Sequence, residues 1–135
     1  QSALLLAAKR GVDVRIVTPG IPDKKLFFRV TRSNYFPLLR SGVRIFEYTP
    51  GFMHAKSFVS DNDIGVVGTI NMDYRSLYLH FECGAVLYGD ESLKQLKDDT
   101  LKTISLSMEV KMEDLNTGFF SRIIDGIIRL FAILF

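Results

Sequence analysis

The stretch His54-Ala55-Lys56-Ser57-Phe58-Val59-Ser60-Asp61, followed by Gly68-Thr69-Ile70-Asn71, decides both the local fold and the chemistry of this chain. Its β-branched and aromatic residues predict two short strands, over 56–60 and 64–69, joined by a turn at Asp61-Asn62-Asp63. The same stretch collects an imidazole, an ammonium, a hydroxyl and a carboxamide. Together these groups can hold a phosphate diester and attack its phosphorus.

The alternation of side chains along a strand places His54 and Lys56 on the same face. A phosphoryl group above that face meets a nucleophilic nitrogen and a cation together. On the returning strand, Gly68 lets the backbone come close, while Thr69 and Asn71 offer a hydroxyl and an amide donor. We therefore expect Lys56, Thr69 and Asn71 to stabilise the charge that builds on the non-bridging phosphate oxygens.

The imidazole of His54 is the candidate reactive group, because its proton changes hands near neutral pH. It can attack phosphorus or protonate a leaving alkoxide, and either role needs its second nitrogen held by a partner. Glu82 is the candidate partner, since a charge within the apolar stretch Phe81-Glu82-Cys83-Gly84 requires one. Asp61 sits in the turn, where its carboxylate is expected to bind backbone N–H groups more than substrate.

A single imidazole cannot act on both sides of one phosphorus atom. In-line displacement puts the attacking and leaving groups on opposite sides, and two copies of the motif related by a twofold or pseudo-twofold axis meet that requirement. The motif occurs once in the chain. We therefore expect a partner half, either an amino-terminal domain with its own motif or a second copy of this chain in a homodimer.

The rest of the chain alternates between helical and strand patterns. Apolar periodicity, β-branched runs and Gly or Pro breaks predict helices over 2–10, 23–40 (interrupted near Pro37) and 91–110, and strands over 12–17, 43–48 and 82–88. This order predicts an α/β fold with a mixed β-sheet flanked by helices. We assign residues 1–118 to one domain that lacks its amino-terminal part, because the chain begins at Gln1 without a methionine.

The carboxy-terminal segment 119–135 has a different character. Its apolar residues recur with helical spacing and leave a polar side formed by Ser121, Arg122, Asp125 and Arg129. The pattern predicts an amphipathic helix that is too short and too charged to span a bilayer. Two interpretations remain open: a helix lying in the membrane interface, or a helix packed on this domain or on a partner domain.

Composition and charge narrow the classes of function. With 47% hydrophobic and 24% charged residues, the 135-residue chain is a folded domain and not a disordered segment. Residues 1–56 carry ten Lys or Arg against three acidic residues, which favours an anionic partner such as phospholipid headgroups, a membrane surface or nucleic acid. Cys83 is the only cysteine, so an intramolecular disulfide is excluded, and we expect a buried thiol.

The spacing His54-x-Lys56-x4-Asp61-x6-Gly68-Thr69-x-Asn71 resembles the HKD signature of the phospholipase D superfamily, with every position filled. The flanks are similar to the carboxy-terminal half of bacterial cardiolipin synthases. That similarity is carried by four further stretches: Gly11–Ile16, Tyr48–Lys56, Asn71–Leu77 and Leu79–Glu82. The resemblance implies that residues 1–118 are a phospholipase D-like half-domain carrying the second of two motifs, with 119–135 as its last helix.

The resemblance also implies an activity. Such an enzyme exchanges headgroups between two phosphatidylglycerol molecules, giving cardiolipin and glycerol through a phosphatidyl-histidine intermediate, with no metal or cofactor. Its partners are anionic phospholipid and the missing half, with no nucleic acid, and it works at the cytoplasmic face of the bacterial membrane. The isolated chain is then expected to be inactive.

The family pattern assigns roles to individual residues. The catalytic set is His54, Lys56, Asp61, Asn71 and Glu82, with His54 acting as acid and then as base, and Glu82 orienting an imidazole. Phosphate is held by Lys56, Gly68, Thr69 and Asn71. Among the neighbours, Asp73 and Arg75 are expected to be framework or headgroup contacts, and His80 a surface residue.

Two other functions remain open. One is a single-motif phosphodiesterase or nuclease that dimerises to complete its site, which the basic first half permits. The other is a non-catalytic domain that binds anionic lipid. The apolar segment 119–135 and the cardiolipin-synthase-like flanks favour the phosphatidyltransferase.

Overall fold

The computed structural model describes residues 1–22 and 25–115, together with Gly118, Ile123, Ile124, Gly126 and Ile128. The elements of this described part are α1 (Ser2–Lys9), β1 (Arg15–Pro19), α2 (Lys25–Ser33), α3 (Tyr35–Arg40), β2 (Arg44–Tyr48), β3 (Ser57–Ser60), β4 (Ile64–Gly68), α4 (Tyr74–Tyr78), β5 (Gly84–Tyr88), α5 (Glu91–Ser105), β6 (Ser107–Val110) and a short 3₁₀ turn (Met112–Asp114).

The strands form two three-stranded sheets instead of the one mixed sheet that the sequence predicts. In the first sheet, of order β1-β2-β6, β1 runs parallel to β2 and β6 runs antiparallel to it. In the second sheet, of order β3-β4-β5, both pairs are antiparallel. The predicted α/β class and the mixture of parallel and antiparallel strands are confirmed, with helices against both sheets.

The core lies on the first sheet. In its central strand β2, Ile45 is 0% exposed and Phe46 is 4% exposed. Because successive residues on a strand point to opposite faces, both faces of β2 are covered. The core cluster joins buried side chains of α3, β2 and β6 with the segment before β2: Tyr35, Leu38, Val43, Ile45 and Val110. Since β2 leads into residues 49–56, this core anchors the segment that brings in His54.

The second sheet holds the motif hairpin, and α5 covers one of its faces. Leu93, 3% exposed, packs on Gly65 together with Leu96. A Cβ atom at Gly65 would lie 2.8 Å from Leu93 Cδ1 and 3.0 Å from Leu96 Cδ2, so a glycine lets the helix approach the strand closely. The Asp90 side chain caps α5 by accepting a bond from the Leu93 N–H at 2.9 Å. This packing fixes the β3–β4 hairpin against a rigid helix.

Two predicted helices have different bounds in the structure. The helix predicted over 91–110 ends at Ser105, and residues 107–110 form β6. This part of the prediction was wrong because the gain from pairing with β2 lies outside any local pattern. The helix predicted over 23–40 is interrupted at Asn34, and Pro37 lies within the first turn of α3, where its missing N–H costs no helical bond.

The segment 119–135 lies mostly outside the described residues, and so does its predicted polar side. Its described members Ile123, Ile124, Gly126 and Ile128 have helical backbone. Among the residues that the structure describes, none of the helices is both long enough and apolar enough to cross a membrane.

Candidate active site

One open cavity gathers five of the residues singled out from the sequence. Its volume is about 250 Å³, and it is lined by His54, Lys56, Gly68, Thr69 and Asn71. The backbone creates this grouping, because the N–H of Gly68 donates to the carbonyl of Lys56 at 3.1 Å and so continues the β3–β4 pairing beyond Ser57. The two ends of the motif, separated in sequence by a hairpin, thus face each other across the sheet edge.

The Lys56 ammonium is held at the cavity by the backbone before it. Its Nζ donates to the carbonyl oxygen of His54 at 2.8 Å. An ammonium has three donors, so two remain for an anion in the cavity. The ring of Phe52 lies nearly parallel to the His54 ring, with 6.0 Å between centroids and 15° between planes. This segment therefore presents an imidazole and a cation side by side.

Gly68 is required by the close approach of β4 and β5. A Cβ atom at this position would lie 2.6 Å from the Cα of Gly84 and would also collide with the carbonyl oxygen of Cys83. The same approach lets the N–H of Thr69 donate to that carbonyl at 2.9 Å. The glycine therefore closes the floor of the cavity and sets the position of Thr69.

The hydroxyl of Thr69 is already engaged on the side away from the open cavity. It donates to the Glu82 carboxylate and accepts from the N–H of Cys83, the latter at 3.0 Å. A hydroxyl has one proton. Thr69 therefore has to turn that proton away from Glu82 before it can donate to a phosphate oxygen, which the sequence analysis did not foresee.

Glu82 is kept in its charged form by its neighbours. Hydrogen bonding from Thr69 and then from Ser76 lowers the pKa of Glu82, and the electrostatic influence of the nearby His80 and Lys56 acts in the same direction, whereas partial burial opposes it. The imidazole beside this carboxylate is that of His80, whose Nδ1 lies 3.9 Å from Oε1. Glu82 is not among the residues that line the cavity. It supports the cavity through Thr69.

Ser76 and Asn71 form a second support that the sequence analysis missed. Ser76 is 7% exposed, and its hydroxyl accepts from the Asn71 amide at 3.4 Å. Its backbone N–H donates to the Asp73 carboxylate at 2.7 Å, so Asp73 caps α4 and is a framework residue, one of its two predicted roles. The cap places Ser76 between Asn71 and Glu82. The serine lies in the Asn71–Leu77 stretch, but no local pattern marks it as a contact of the site.

The side chains of His80 and Arg75 are hydrogen-bonded to each other. The Nε of Arg75 donates to Nε2 of His80 at 2.7 Å. The His80 side chain is 45% exposed, as expected for a surface residue, but it bridges an arginine and a glutamate. The spacing His80-x-Glu82 held a usable signal, because residues two apart on an extended segment point to the same side.

Asp61 lies in the turn of the motif hairpin and does not line the cavity. Asp61 occupies the turn between β3 and β4 with φ 53°, at the opposite end of the hairpin from the cavity. A short polar side chain tolerates this left-handed conformation, which fits the predicted turn role.

Cys83 is exposed, so the expectation of a buried thiol was wrong. Its backbone, and not its sulfur, contacts Thr69.

The chemistry of the cavity is that of an anion site. An imidazole, an ammonium and a carboxamide face the same space, and they suit a phosphoryl group. Within the described ranges, no group of three or more His, Cys, Asp or Glu side chains is placed to hold a metal ion.

A comparison with known protein families shows to which family the chain belongs. Residues 1–103 match the family described as cardiolipin synthase, PLD-like domain. The chain belongs to this family. The matched range of the PLD-like domain includes all seven predicted site residues, from His54 to Glu82.

Two relatives are similar to this chain over nearly its whole length. The chain is 42% identical over 133 residues to a cardiolipin synthase of Halalkalibacterium halodurans, covering 97% of this chain and 26% of the relative. It is 48% identical over 129 residues to an uncharacterized protein of Streptococcus mutans, covering 95% of this chain and 28% of the relative. The PLD-like domain thus spans about a quarter of the length of these relatives.

A solved structure shares the fold of this PLD-like domain. It is the phospholipase D family member Nuc from Salmonella typhimurium, with a TM-score of 0.65 and 18% sequence identity, covering 82% of this chain and 72% of that chain. At this identity the likeness concerns the fold alone. It confirms the predicted phospholipase D-like architecture.

Proposed function

We propose that this PLD-like domain supplies one half of the active site of a cardiolipin synthase, which transfers a phosphatidyl group between two phosphatidylglycerol molecules. The observation that carries the proposal is the cavity in which His54, Lys56 and Asn71 converge. The family match supports the substrate class, because curated relatives that contain a similar domain are named cardiolipin synthases.

The reaction has two displacements at phosphorus. In the first, an imidazole nitrogen of the partner half forms a bond to phosphorus and the bond from phosphorus to the oxygen of the headgroup glycerol breaks. His54 gives its proton to that oxygen, and free glycerol leaves. In the second, His54 takes the proton of a hydroxyl on another phosphatidylglycerol, whose oxygen forms a bond to phosphorus. The bond from phosphorus to the imidazole breaks, and cardiolipin leaves.

The other cavity residues act on charge and position. Lys56 has two donors free for the non-bridging oxygens, and Asn71 adds an amide that Ser76 helps to orient. The glycine at position 68 lets β4 approach β5 closely, which sets the position of Thr69 at the cavity. Glu82, held as a carboxylate, is well suited to orient an imidazole once the two halves meet.

A partner half explains an exposed surface next to the cavity. On the face of the second sheet opposite α5, Phe58 is 36%, Val86 is 51% and Tyr88 is 66% exposed. Exposed apolar patches of this kind mark contacts with other proteins or with a membrane. The exposed surface supports a site completed by a preceding half of a longer chain or by a second copy of this one. The completed enzyme would work at the cytoplasmic face of a bacterial membrane.

The test is cardiolipin formation from phosphatidylglycerol in mixed micelles. The full-length parent protein, its His54→Ala variant and the 135-residue chain alone are compared, with Lys94→Gln on an exposed face of α5 as a control outside the cavity. We expect turnover by the parent, loss of turnover in His54→Ala, and no turnover by the chain alone. A parent that forms no cardiolipin, or that cleaves plasmid DNA instead, overturns the proposal.

A further inference from the structure

Arg75 and His80 are held together by both backbone and side chain. The carbonyl of Arg75 accepts from the N–H groups of Leu79 and His80, at 2.9 and 3.0 Å, where α4 ends. The Arg75 guanidinium then donates from Nε to Nε2 of the His80 ring at 2.7 Å. The backbone bonds fix the start of residue 80 at the end of α4, and the guanidinium bond fixes the direction of its imidazole.

The arginine contact also decides which ring nitrogen carries the proton. A guanidinium has donors and no acceptor, so Nε2 of His80 has to accept. In a neutral ring the proton is then on Nδ1. That nitrogen faces Glu82, with 3.9 Å between Nδ1 and Oε1. At this separation the contact is an electrostatic attraction and not a direct hydrogen bond.

The two oxygens of Glu82 are thereby engaged from different sides. Oε2 accepts the Thr69 hydroxyl, and Oε1 faces the N–H of His80. Ser76 lies near the carboxylate and helps to lower the pKa of Glu82. The Glu82 side chain is 15% exposed, so these neighbours restrict its rotation with little competition from water.

We propose that His80 is a positioning residue of the transfer reaction: Arg75 orients His80, His80 orients Glu82, and Glu82 holds Thr69 at the edge of the phosphate cavity. The inference rests on the proposed function, because it requires that Glu82 supports the site of phosphatidyl transfer. His80 touches none of the reacting atoms. Its contribution is to keep the carboxylate in one orientation, so its loss lowers the rate of transfer more than the binding of lipid.

Three substitutions at position 80 separate this role from simple packing. Asparagine places an amide N–H close to where Nδ1 lies and keeps the donor for Glu82. Glutamine keeps an acceptor near Nε2 for Arg75 but withdraws the donor from Glu82. Leucine removes both. Lys94→Gln, on an exposed face of α5, serves as a control for a surface change outside the network.

The measurement is kcat and KM for cardiolipin formation by the full-length parent protein. We expect kcat to fall roughly tenfold in His80→Leu and His80→Gln, with KM little changed, and to stay within about threefold in His80→Asn. Unchanged kcat in His80→Leu overturns the inference, and so does a loss in His80→Asn as large as in His80→Leu.

A second readout does not depend on turnover. In the same full-length protein, the Glu82 carboxyl carbon is assigned by comparison with Glu82→Gln and titrated by NMR. Loss of the facing N–H raises the pKa of Glu82, so we expect an upward shift in His80→Leu and none in His80→Asn. If the parent forms no cardiolipin, the proposed function has failed, and this titration alone decides the role of His80; equal pKa values in both variants overturn it.

Discussion

The Thr69 hydroxyl donates a hydrogen bond to the carboxylate of Glu82, thirteen residues further along the chain. Thr69 also lines the cavity beside His54 and Lys56, whereas Glu82 stands behind it. The pair therefore connects the phosphate-facing side of the site with the charged group that supports it. The sequence predicts that Thr69 holds phosphate. In this structure its hydroxyl is hydrogen-bonded to Glu82.

The Thr69–Glu82 bond predicts different effects for two substitutions at position 69. Thr69→Ser keeps the hydroxyl and is expected to retain activity within about threefold, whereas Thr69→Val removes it and lowers kcat by roughly a hundredfold. Valine also leaves the Cys83 N–H without its acceptor. Cardiolipin formation by the full-length parent measures both. Equal activity in the two variants would show that the hydroxyl has no role.

The same bond predicts a change in pH dependence. In the wild type, the hydrogen bond from Thr69 is the largest cause that lowers the pKa of Glu82 below its ordinary value of 4.5. Removing it in Thr69→Val raises that pKa, because the charged form loses its donor. The acid limb of the pH profile of kcat/KM should therefore move to higher pH in Thr69→Val and stay in place in Thr69→Ser. A limb at the same pH in all three proteins contradicts this assignment.

The sequence was sufficient to predict which residues line the cavity, but not how they support one another. His54, Lys56 and Asn71 follow from a spaced motif on a hairpin whose alternation and turn are local properties. The contact of Glu82 with Thr69 depends on the distance between the end of β4 and the start of β5, which no local pattern specifies. His80 is exposed, as predicted, and its contact with Glu82 could have been inferred from the spacing His80-x-Glu82.

Gly68 is predicted to tolerate no side chain. In Gly68→Ala the added Cβ meets the backbone of Cys83 and Gly84, and neither can move without separating β4 from β5. We expect a loss of about 1–3 kcal/mol in the free energy of unfolding, measured by urea denaturation. Gly51→Ala is the matched control, because nothing lies within 4 Å of a Cβ atom built there. An equally large loss in the control would show that the collision with β5 is not the cause of the effect.

The split into two sheets was not predictable from local patterns either. The segment Ser107–Val110 continues the helical spacing of α5 in sequence, yet it forms β6 because Ile45, Phe46, Glu47 and Tyr48 of β2 supply pairing partners from more than fifty residues away. Tertiary pairing overrides local propensity in such cases. By contrast, β1 to β5 were found within a few residues of their bounds, since each is short, β-branched and flanked by turn residues.

Leu93 is predicted to dominate the contact between α5 and the motif hairpin. It is 3% exposed and lies against Gly65, so Leu93→Ala leaves a cavity and should cost about 2–5 kcal/mol of unfolding free energy. Leu101→Ala, on the same helix but 42% exposed, should cost much less. Urea denaturation of both variants measures the difference. Similar losses in the two variants would mean that packing of Leu93 on the hairpin adds no special stability.

The pair Arg44–Glu109 is predicted to stabilise the first sheet in a pH-dependent way. Arg44 donates to both carboxylate oxygens, at 2.7 and 3.1 Å, and joins β2 to β6. Its hydrogen bonds lower the pKa of Glu109 below the ordinary value of 4.5. A carboxyl group with a lowered pKa in the folded state adds stability above its unfolded pKa, and loses that contribution as the pH falls through the folded value.

Glu109→Gln should therefore lower the urea midpoint at neutral pH, and the difference from wild type should shrink as the pH falls below 4.5. The effect is expected to be small, because the two side chains are 45% and 40% exposed and water screens their charges. Glu113→Gln, whose side chain is 77% exposed and 3.9 Å from Lys111, is the control and should leave the midpoint unchanged. A difference in Glu109→Gln that persists at acid pH would have to come from lost packing, because the charge of Glu109 is absent there in both proteins.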